Sequence, residues 1–181
     1  MVKKQNSIGK GYVQVYTGHG KGKTTAALGL AFRAMGDGLK TYIGQFMKGQ
    51  HYSELESVKM VSDYVVIEQY GKKSFIHLKN PPDAKDVQMA KAGLEKAKTA
   101  MLSRKYDIII LDEINTANYF NLISLEEILN LITDKPTGVE LVFTGRYAPP
   151  ELIEAADLVT EMKEIKHYYQ KNVLSRKGIE K

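Results

Sequence analysis

The sequence predicts an α/β fold: a mainly parallel sheet with helices on both faces, in a single domain. Three observations carry that prediction. Short apolar runs suited to strands alternate along the chain with longer runs of helical period. One of the short runs, Ile108-Ile109-Ile110-Leu111, is apolar without interruption, as a strand buried on both faces of a parallel sheet must be. A glycine-rich segment, Thr17-Gly18-His19-Gly20-Lys21-Gly22-Lys23-Thr24, lies between a strand-like run and a helix-like run.

The elements follow in order. Residues 1–10 read as a flexible N-terminal tail, and residues 11–181 as the domain. A first strand over 12–16 leads through the glycine-rich loop into a helix over 25–35, which Gly36-Asp37-Gly38 should stop. Strands are predicted at 41–46 and 64–69, and Pro81-Pro82 punctuates a loop. From 83 to 103, Val87, Ala90, Leu94, Ala97 and Met101 recur at three- and four-residue steps, so this segment is an amphipathic helix. After the strand at 107–111, Ser124 and Glu127 form a capping box, and the following helix places Leu125, Ile128, Leu129 and Ile132 on one side. A buried strand at 139–144, a short helix from Pro149-Pro150 to Ala156 and a last strand at 158–162 complete the domain. Beyond Lys163 the apolar residues show no period, and the chain contains no repeat, low-complexity segment or interdomain linker.

Composition narrows the class. A chain of 181 residues can bury a sizeable core, and 43% hydrophobic with 26% charged residues excludes a disordered or fibrous protein. No apolar run approaches the roughly 20 residues that cross a bilayer. The polar start Met1-Val2-Lys3-Lys4-Gln5-Asn6 is unlike a signal peptide, so a cytoplasmic protein without membrane partners is expected. With no cysteine, disulfides, thiolate zinc sites and iron–sulfur clusters are excluded. The net charge of +5 would suit a polyanion, but the lysines are scattered among acids without interleaved aromatics. They read as solubilising surface charge, and no nucleic-acid partner is expected.

The chemistry concentrates at three places. In the glycine-rich loop, Gly18, Gly20 and Gly22 let backbone N–H groups converge on phosphate oxygens, and the helix start adds free donors. Lys23 can reach terminal phosphates, and the Thr24 hydroxyl can ligate Mg²⁺. This is a P-loop with one departure: the pattern G-x-x-x-x-G-K-[ST] asks for glycine where Thr17 stands, so the loop begins a residue late at Gly18. His19 lies inside the loop and contributes its backbone first. Asp112 and Glu113 follow a buried strand, at the edge where open α/β sheets bind ligands, and are placed to hold a hydrated Mg²⁺. Arg146, in Thr144-Gly145-Arg146, stands at the end of the next strand and can pair with phosphate or the ribose region. His51, His77 and His167 fit no zinc-binding spacing, and no acyl-transfer element is present. On these residues alone a nucleoside triphosphate is the expected ligand, and an ordinary P-loop ATPase or small-molecule kinase and a nucleotide-dependent nucleic-acid-binding module are readings that stand.

With these residues in view, the chain resembles the P-loop type of corrinoid adenosyltransferase, which acts on cob(I)alamin or cob(I)yrinic acid a,c-diamide. The resemblance spans residues 12–180. Gly18-His19-Gly20-Lys21-Gly22-Lys23-Thr24-Thr25 is similar to that family's G-N-G-K-G-K-T-T, missing first glycine included. Gln45-Phe46-Met47-Lys48-Gly49 resembles Q-F-x-K-G, and Leu111-Asp112-Glu113-Ile114-Asn115 resembles L-D-E-L-N. Thr144-Gly145-Arg146, the stretch 149–161, Lys166-His167 and Lys177-Gly178-Ile179-Glu180 resemble later blocks in the right order.

The resemblance implies a P-loop NTPase-like domain that joins the 5′-carbon of ATP to the cobalt(I) of a reduced corrinoid and releases tripolyphosphate. ATP would lie reversed along the loop. It implies ATP contacts from Gly18 to Thr25 and at Arg146, and Mg²⁺ held by Thr24 and Glu113 with Asp112 behind them. Lys23, Glu113 and Phe75 would serve catalysis. The family's G-F-T-W segment stands here as Ser74-Phe75-Ile76-His77, which implies that Phe75 and His77 face the corrinoid. Cobalamin or a precursor as substrate, a reduced flavoprotein as electron donor, and a homodimer are further implications.

Overall fold

The structure is a computed structural model describing residues 8–72 and 82–181. Among the described residues six strands form one sheet: β1 (Val13–Thr17), β2 (Thr41–Phe46), β3 (Val65–Tyr70), β4 (Ile108–Asp112), β5 (Glu140–Thr144) and β6 (Leu158–Glu161). Their order across the sheet is β3-β2-β4-β5-β1-β6, and every pairing is parallel. The connections carry α1 (Lys23–Gly36), α2 (Glu54–Ser57), α3 (Ala84–Leu102), α4 (Ile114–Tyr119), α5 (Leu125–Asp134) and α6 (Pro150–Ala155). Single 3₁₀ turns lie at Val58–Val61 and Tyr168–Lys171.

The α/β prediction therefore holds, and strand alternation explains how both faces are filled. Val13, Val15, Ile109, Leu111, Leu141 and Phe143 point to one face, into a core completed by Leu94, Met101, Ile128 and Leu131. Ile108, Ile110, Val142 and Ile43 point to the other, against Ala27, Ala31 and Ala34 of α1. Three alanines on one helical stripe let α1 lie close to the sheet. That closeness sets the height of its N-terminus, and so of the loop before it.

Local chemistry fixes the element ends. Gly22 caps α1 at φ 122°, a conformation that needs glycine. The N–H groups of Asp37 and Gly38 close the helix on Ala34 and Met35. Asp83 starts α3 by accepting from the Lys85 N–H at 2.8 Å. The capping box at Ser124 is present: its hydroxyl accepts from the Glu127 N–H at 3.2 Å, and the Glu127 carboxylate accepts from the Ser124 N–H at 2.8 Å.

The differences from expectation are small and physical. The first, third and fourth strands each sit one residue later than predicted. The short elements α2, the 3₁₀ turn after it, α4 and the 3₁₀ turn at Tyr168–Lys171 were not predicted, because each is too short to show a helical period. Of the expected tail, residues 1–7 lie outside the described residues, and Ile8 packs half-buried against the α1-side core. Many lysines pair with acids on the surface, among them Lys59–Glu56, Lys72–Asp86 and Lys98–Asp134. No helix among the described residues is long and apolar enough to cross a membrane.

An apolar cavity of 390 Å³ lies between α1 and the 54–61 segment, lined by Leu28, Gly29, Phe32, Val58 and Val61. A Cβ on Gly29 would meet nothing within 4 Å. Gly29→Ala should therefore stabilise the protein by about 0.5–1 kcal/mol, through helix propensity alone. A thermal melt checks this: an unchanged or lowered midpoint would show that the cavity wall is less open than it looks.

Candidate active site

The site forms at the carboxyl ends of β1, β2, β4 and β5, along one edge of the sheet. β1 ends at Thr17, whose hydroxyl accepts from the Ala148 N–H at 3.3 Å. The loop then turns through Gly18 (φ 93°) and Gly22 into α1. A Cβ on Gly18 or Gly20 would lie 2.5 or 2.6 Å from the Met162 carbonyl oxygen, so the chain after β6 leaves room only for glycine. The Gly20 N–H donates to that same carbonyl at 2.6 Å.

Lys23 departs from the picture of a lysine reaching into solvent. The residue is only 7% exposed. Its Nζ folds back over its own loop and donates to the carbonyls of Gly18 and Gly20, both at 2.7 Å. Burial holds its pKa below the ordinary lysine value; Glu113 and Asp112 pull the other way, and Arg146 adds to the depression. Lys21 behaves differently. It is exposed and ion-pairs with Glu180 at 3.2 Å, a carboxylate also held by Arg176 at 3.1 Å. The chain after β6 thus returns to the mouth of the loop.

The acidic pair separates into an inner and an outer member. Asp112 is 1% exposed and fully engaged. Its Oδ1 accepts from the Thr24 hydroxyl at 2.8 Å and the Thr144 hydroxyl at 2.7 Å. Its Oδ2 accepts from Lys48 Nζ at 2.7 Å and from Gln45 Nε2 at 3.4 Å. Three strand ends and the start of α1 therefore meet on one carboxylate. Glu113 is half-buried and left-handed at φ 63°, which turns the chain sharply from β4 into α4. Its N–H donates to the Thr144 hydroxyl at 3.1 Å, and its carboxylate accepts from the Thr116 hydroxyl at 2.5 Å.

The β5–α6 loop is tied to α4. The Arg146 N–H donates to the Thr116 hydroxyl at 3.1 Å, and a Cβ on Gly145 (φ 132°) would lie 2.9 Å from the Thr116 nitrogen. The Arg146 side chain is exposed. Tyr147, another left-handed residue at φ 60°, stacks on Tyr119 at 4.1 Å and meets the His19 ring edge-on at 5.1 Å. The imidazole of the loop thus rests on an aromatic pair while its backbone completes the loop. Thr25 is exposed at the first turn of α1.

The structure brings together Gly18, His19, Gly20, Lys21, Gly22, Lys23, Thr24, Asp112, Glu113 and Arg146. Phe75 and His77, expected at the corrinoid, lie outside the described residues. Two participants carried no assignment from sequence: Lys48 and Gln45. Their signal in the sequence was the resemblance of Gln45-Phe46-Met47-Lys48-Gly49 to Q-F-x-K-G, and the register of Gln45 with Asp112 between neighbouring parallel strands gives it a place. Burial alone would lower the pKa of Lys48, but the charge and hydrogen bond of Asp112 outweigh it and the value is raised. Among the described residues, no group of three or more His, Cys, Asp or Glu side chains could hold a metal alone.

The family described as ATP:corrinoid adenosyltransferase BtuR/CobO/CobP matches residues 9–180. A corrinoid adenosyltransferase of Sinorhizobium is 37% identical over 174 residues, 94% of this chain and 80% of that protein. One of Pseudomonas aeruginosa is 32% identical over 94% of this chain and 84% of its own length. One of Escherichia coli K12 is 29% identical over 94% and 86%.

Proposed function

The chain belongs to the ATP:corrinoid adenosyltransferase family, and from that premise we propose that it joins the 5′-carbon of ATP to the cobalt of a reduced corrinoid and releases intact tripolyphosphate. Adenosyl transfer from ATP to a corrinoid is the enzyme activity. The observation that carries the further reading is the placement of Thr24: its hydroxyl, in the Gly-Lys-Thr loop, is held at 2.8 Å by the buried Asp112. That is the arrangement needed to seat a charged triphosphate and its cation on one edge.

In the transfer, cobalt(I) supplies the electron pair that forms the Co–C5′ bond. The C5′–O bond breaks, and its electron pair leaves on the triphosphate. No general base is required, because the nucleophile carries no proton. The protein's tasks are alignment and stabilisation of the charge gathering on the leaving group. The start of α1, Lys23 and Arg146 would supply donors and positive charge there, and Lys21 would join them on leaving Glu180. Lys23 must release the Gly18 and Gly20 carbonyls to reach phosphate. A kinase would present the γ-phosphorus; a transferase of this kind must hold all three phosphates as one leaving group.

Mg²⁺ fits the donor set, which is oxygen throughout. Thr24 and Glu113 would hold it, with Asp112 fixing the Thr24 hydroxyl through the hydrogen it accepts. The protein offers only part of a shell, as suits a cation completed by substrate phosphates and water. When bound it would offset charge on the departing triphosphate. Phe75 and His77 are assigned to the corrinoid side on the family resemblance. A reduced flavoprotein donor, a homodimer and a cytoplasmic setting complete the proposal on the same ground.

Phosphorus NMR of the products decides the leaving group. With cobalt(I) corrinoid, ATP and Mg²⁺, tripolyphosphate should appear one-to-one with a light-sensitive adenosyl–cobalt bond. ADP as the product would replace this reading with that of an ordinary ATPase or kinase.

A further inference from the structure

Among the described residues, Lys48 is the one cation that touches the buried carboxylate of the site. Its Nζ lies 2.7 Å from Asp112 Oδ2, with side chains 14% and 1% exposed. The opposite oxygen of that carboxylate holds the Thr24 hydroxyl. A charge so removed from water needs a counter-ion, and Lys48 supplies it.

The backbone at this point is built to deliver the side chain. Met47 is left-handed at φ 58°, an unfavourable state for a residue with a Cβ, and it bends the chain as β2 ends. The Met47 N–H donates to the Tyr70 carbonyl at 3.2 Å. Gly49 and Gly71 then meet backbone to backbone: a Cβ on Gly49 would lie 2.2 Å from the Gly71 oxygen, and one on Gly71 would lie 2.6 Å from the Met47 carbonyl carbon. The main chain around Lys48 is thereby pinned. The four-carbon stem is what remains free to move, and Nζ also lies over the Tyr52 ring at 5.0 Å.

We propose that Lys48 is a place-holding cation: it neutralises Asp112 while the site is empty, and passes to the triphosphate when nucleotide and metal arrive. This deepens the reading above and rests on the site's taking a triphosphate. The logic is electrostatic. A divalent ion seated beside Thr24 would stand close to the Lys48 ammonium, and the two repel. A polyanion arriving with the metal removes the conflict, because it offers Lys48 a second partner within the reach of its stem. Metal alone, without the anion, is opposed. Lys48 thus makes metal and nucleotide enter together.

Two binding measurements on the full chain test this without turnover. Inorganic tripolyphosphate, titrated by calorimetry in the absence of metal, should bind Lys48→Met about tenfold or more weakly, with Lys48→Arg keeping most of the affinity. Mn²⁺, followed by electron paramagnetic resonance without nucleotide, should bind Lys48→Met about tenfold more tightly than the native protein. Because Lys48→Met leaves Asp112 buried and unpaired, Lys48→Met/Asp112→Asn serves as a second variant with both charges removed. It too should lose tripolyphosphate affinity. Undiminished tripolyphosphate binding in both variants, with Lys23→Met impaired, would overturn the role of Lys48 and leave the triphosphate site standing. Loss of the anion without gain of Mn²⁺ in Lys48→Met would make Lys48 a phosphate contact only and overturn place-holding. A native protein that does not bind tripolyphosphate would instead sink the functional reading itself.

Discussion

Replacing Lys23 by methionine should lower adenosyl transfer by about a hundredfold or more, the scale on which single preorganised donors to a developing anion act. It should weaken ATP binding alongside. The structure adds a second effect that a solvent-facing lysine would not have. Lys23 is 7% exposed, and its two 2.7 Å bonds to the Gly18 and Gly20 carbonyls fasten the loop while it is empty. Methionine preserves most of the side-chain volume but makes neither bond. A hydrogen bond from a charged group contributes about 1.5–3 kcal/mol, and water can repair part of the loss at the loop mouth. The melting temperature should fall by a few degrees, about 2–4 °C for each kcal/mol in a domain of this size. Nucleotide titration and a thermal melt separate the two effects. Native ATP affinity and turnover in a folded Lys23→Met protein would remove the loop from the mechanism.

Gly93→Val should be strongly destabilising although it lies away from the site. Gly93 lies in α3, where helix propensity alone would favour almost any other residue. A Cβ there would lie 2.3 Å from Tyr70 Cγ and 2.4 Å from its Cδ2. These atoms are the root of the ring, not the end of a flexible chain. Tyr70 is 7% exposed and cannot swing aside: its hydroxyl is hydrogen-bonded to the Tyr42 hydroxyl and donates to Glu68 at 3.0 Å. Burial pushes the Tyr42 hydroxyl up to about 12, so the pair stays neutral. Overpacking of this kind costs about 3 kcal/mol at the upper end of its usual range, or roughly 6–12 °C in melting temperature. Because the Tyr70 carbonyl accepts from the Met47 N–H at 3.2 Å, a displaced Tyr70 should disturb the turn that carries Lys48, and tripolyphosphate binding should weaken as well. A melting temperature at or above native would show that α3 rides farther from the sheet than described.

Legibility differed between the fold and the site. The strands were readable because a parallel sheet buried on both faces demands unbroken apolar runs, and Ile108 to Leu111 could be little else. The long helix α3 was readable because nineteen residues display a period. The six residues of α4 do not, although Ile114, Asn115 and Ala117 are buried. Strand order was not readable, since pairing joins segments far apart in the chain. That order creates the site: β2 beside β4 sets Gln45 against Asp112 and brings Lys48 within reach. A lysine after a strand otherwise reads as a solvated charge. The sequence marked Asp112 and Glu113 together but left open which faced inward, because that depends on the left-handed turn at Glu113. The inward turn of Lys23 had no local signal, since its partners are backbone carbonyls.

The position of β1 has a consequence for biosynthesis. Among the described strands it comes first in the chain, yet its partners there are β5 and β6, Val13 with Leu141 and Gln14 with Leu158. During translation it waits, both edges open, until nearly the whole domain has left the ribosome. Contacts so distant in sequence form slowly, and an unpaired strand edge invites association with other chains. Competence to grip a nucleotide therefore arrives only once β5 and β6 have been made. A nascent chain stalled before β5 carries the complete phosphate-loop sequence with no sheet neighbour to set it.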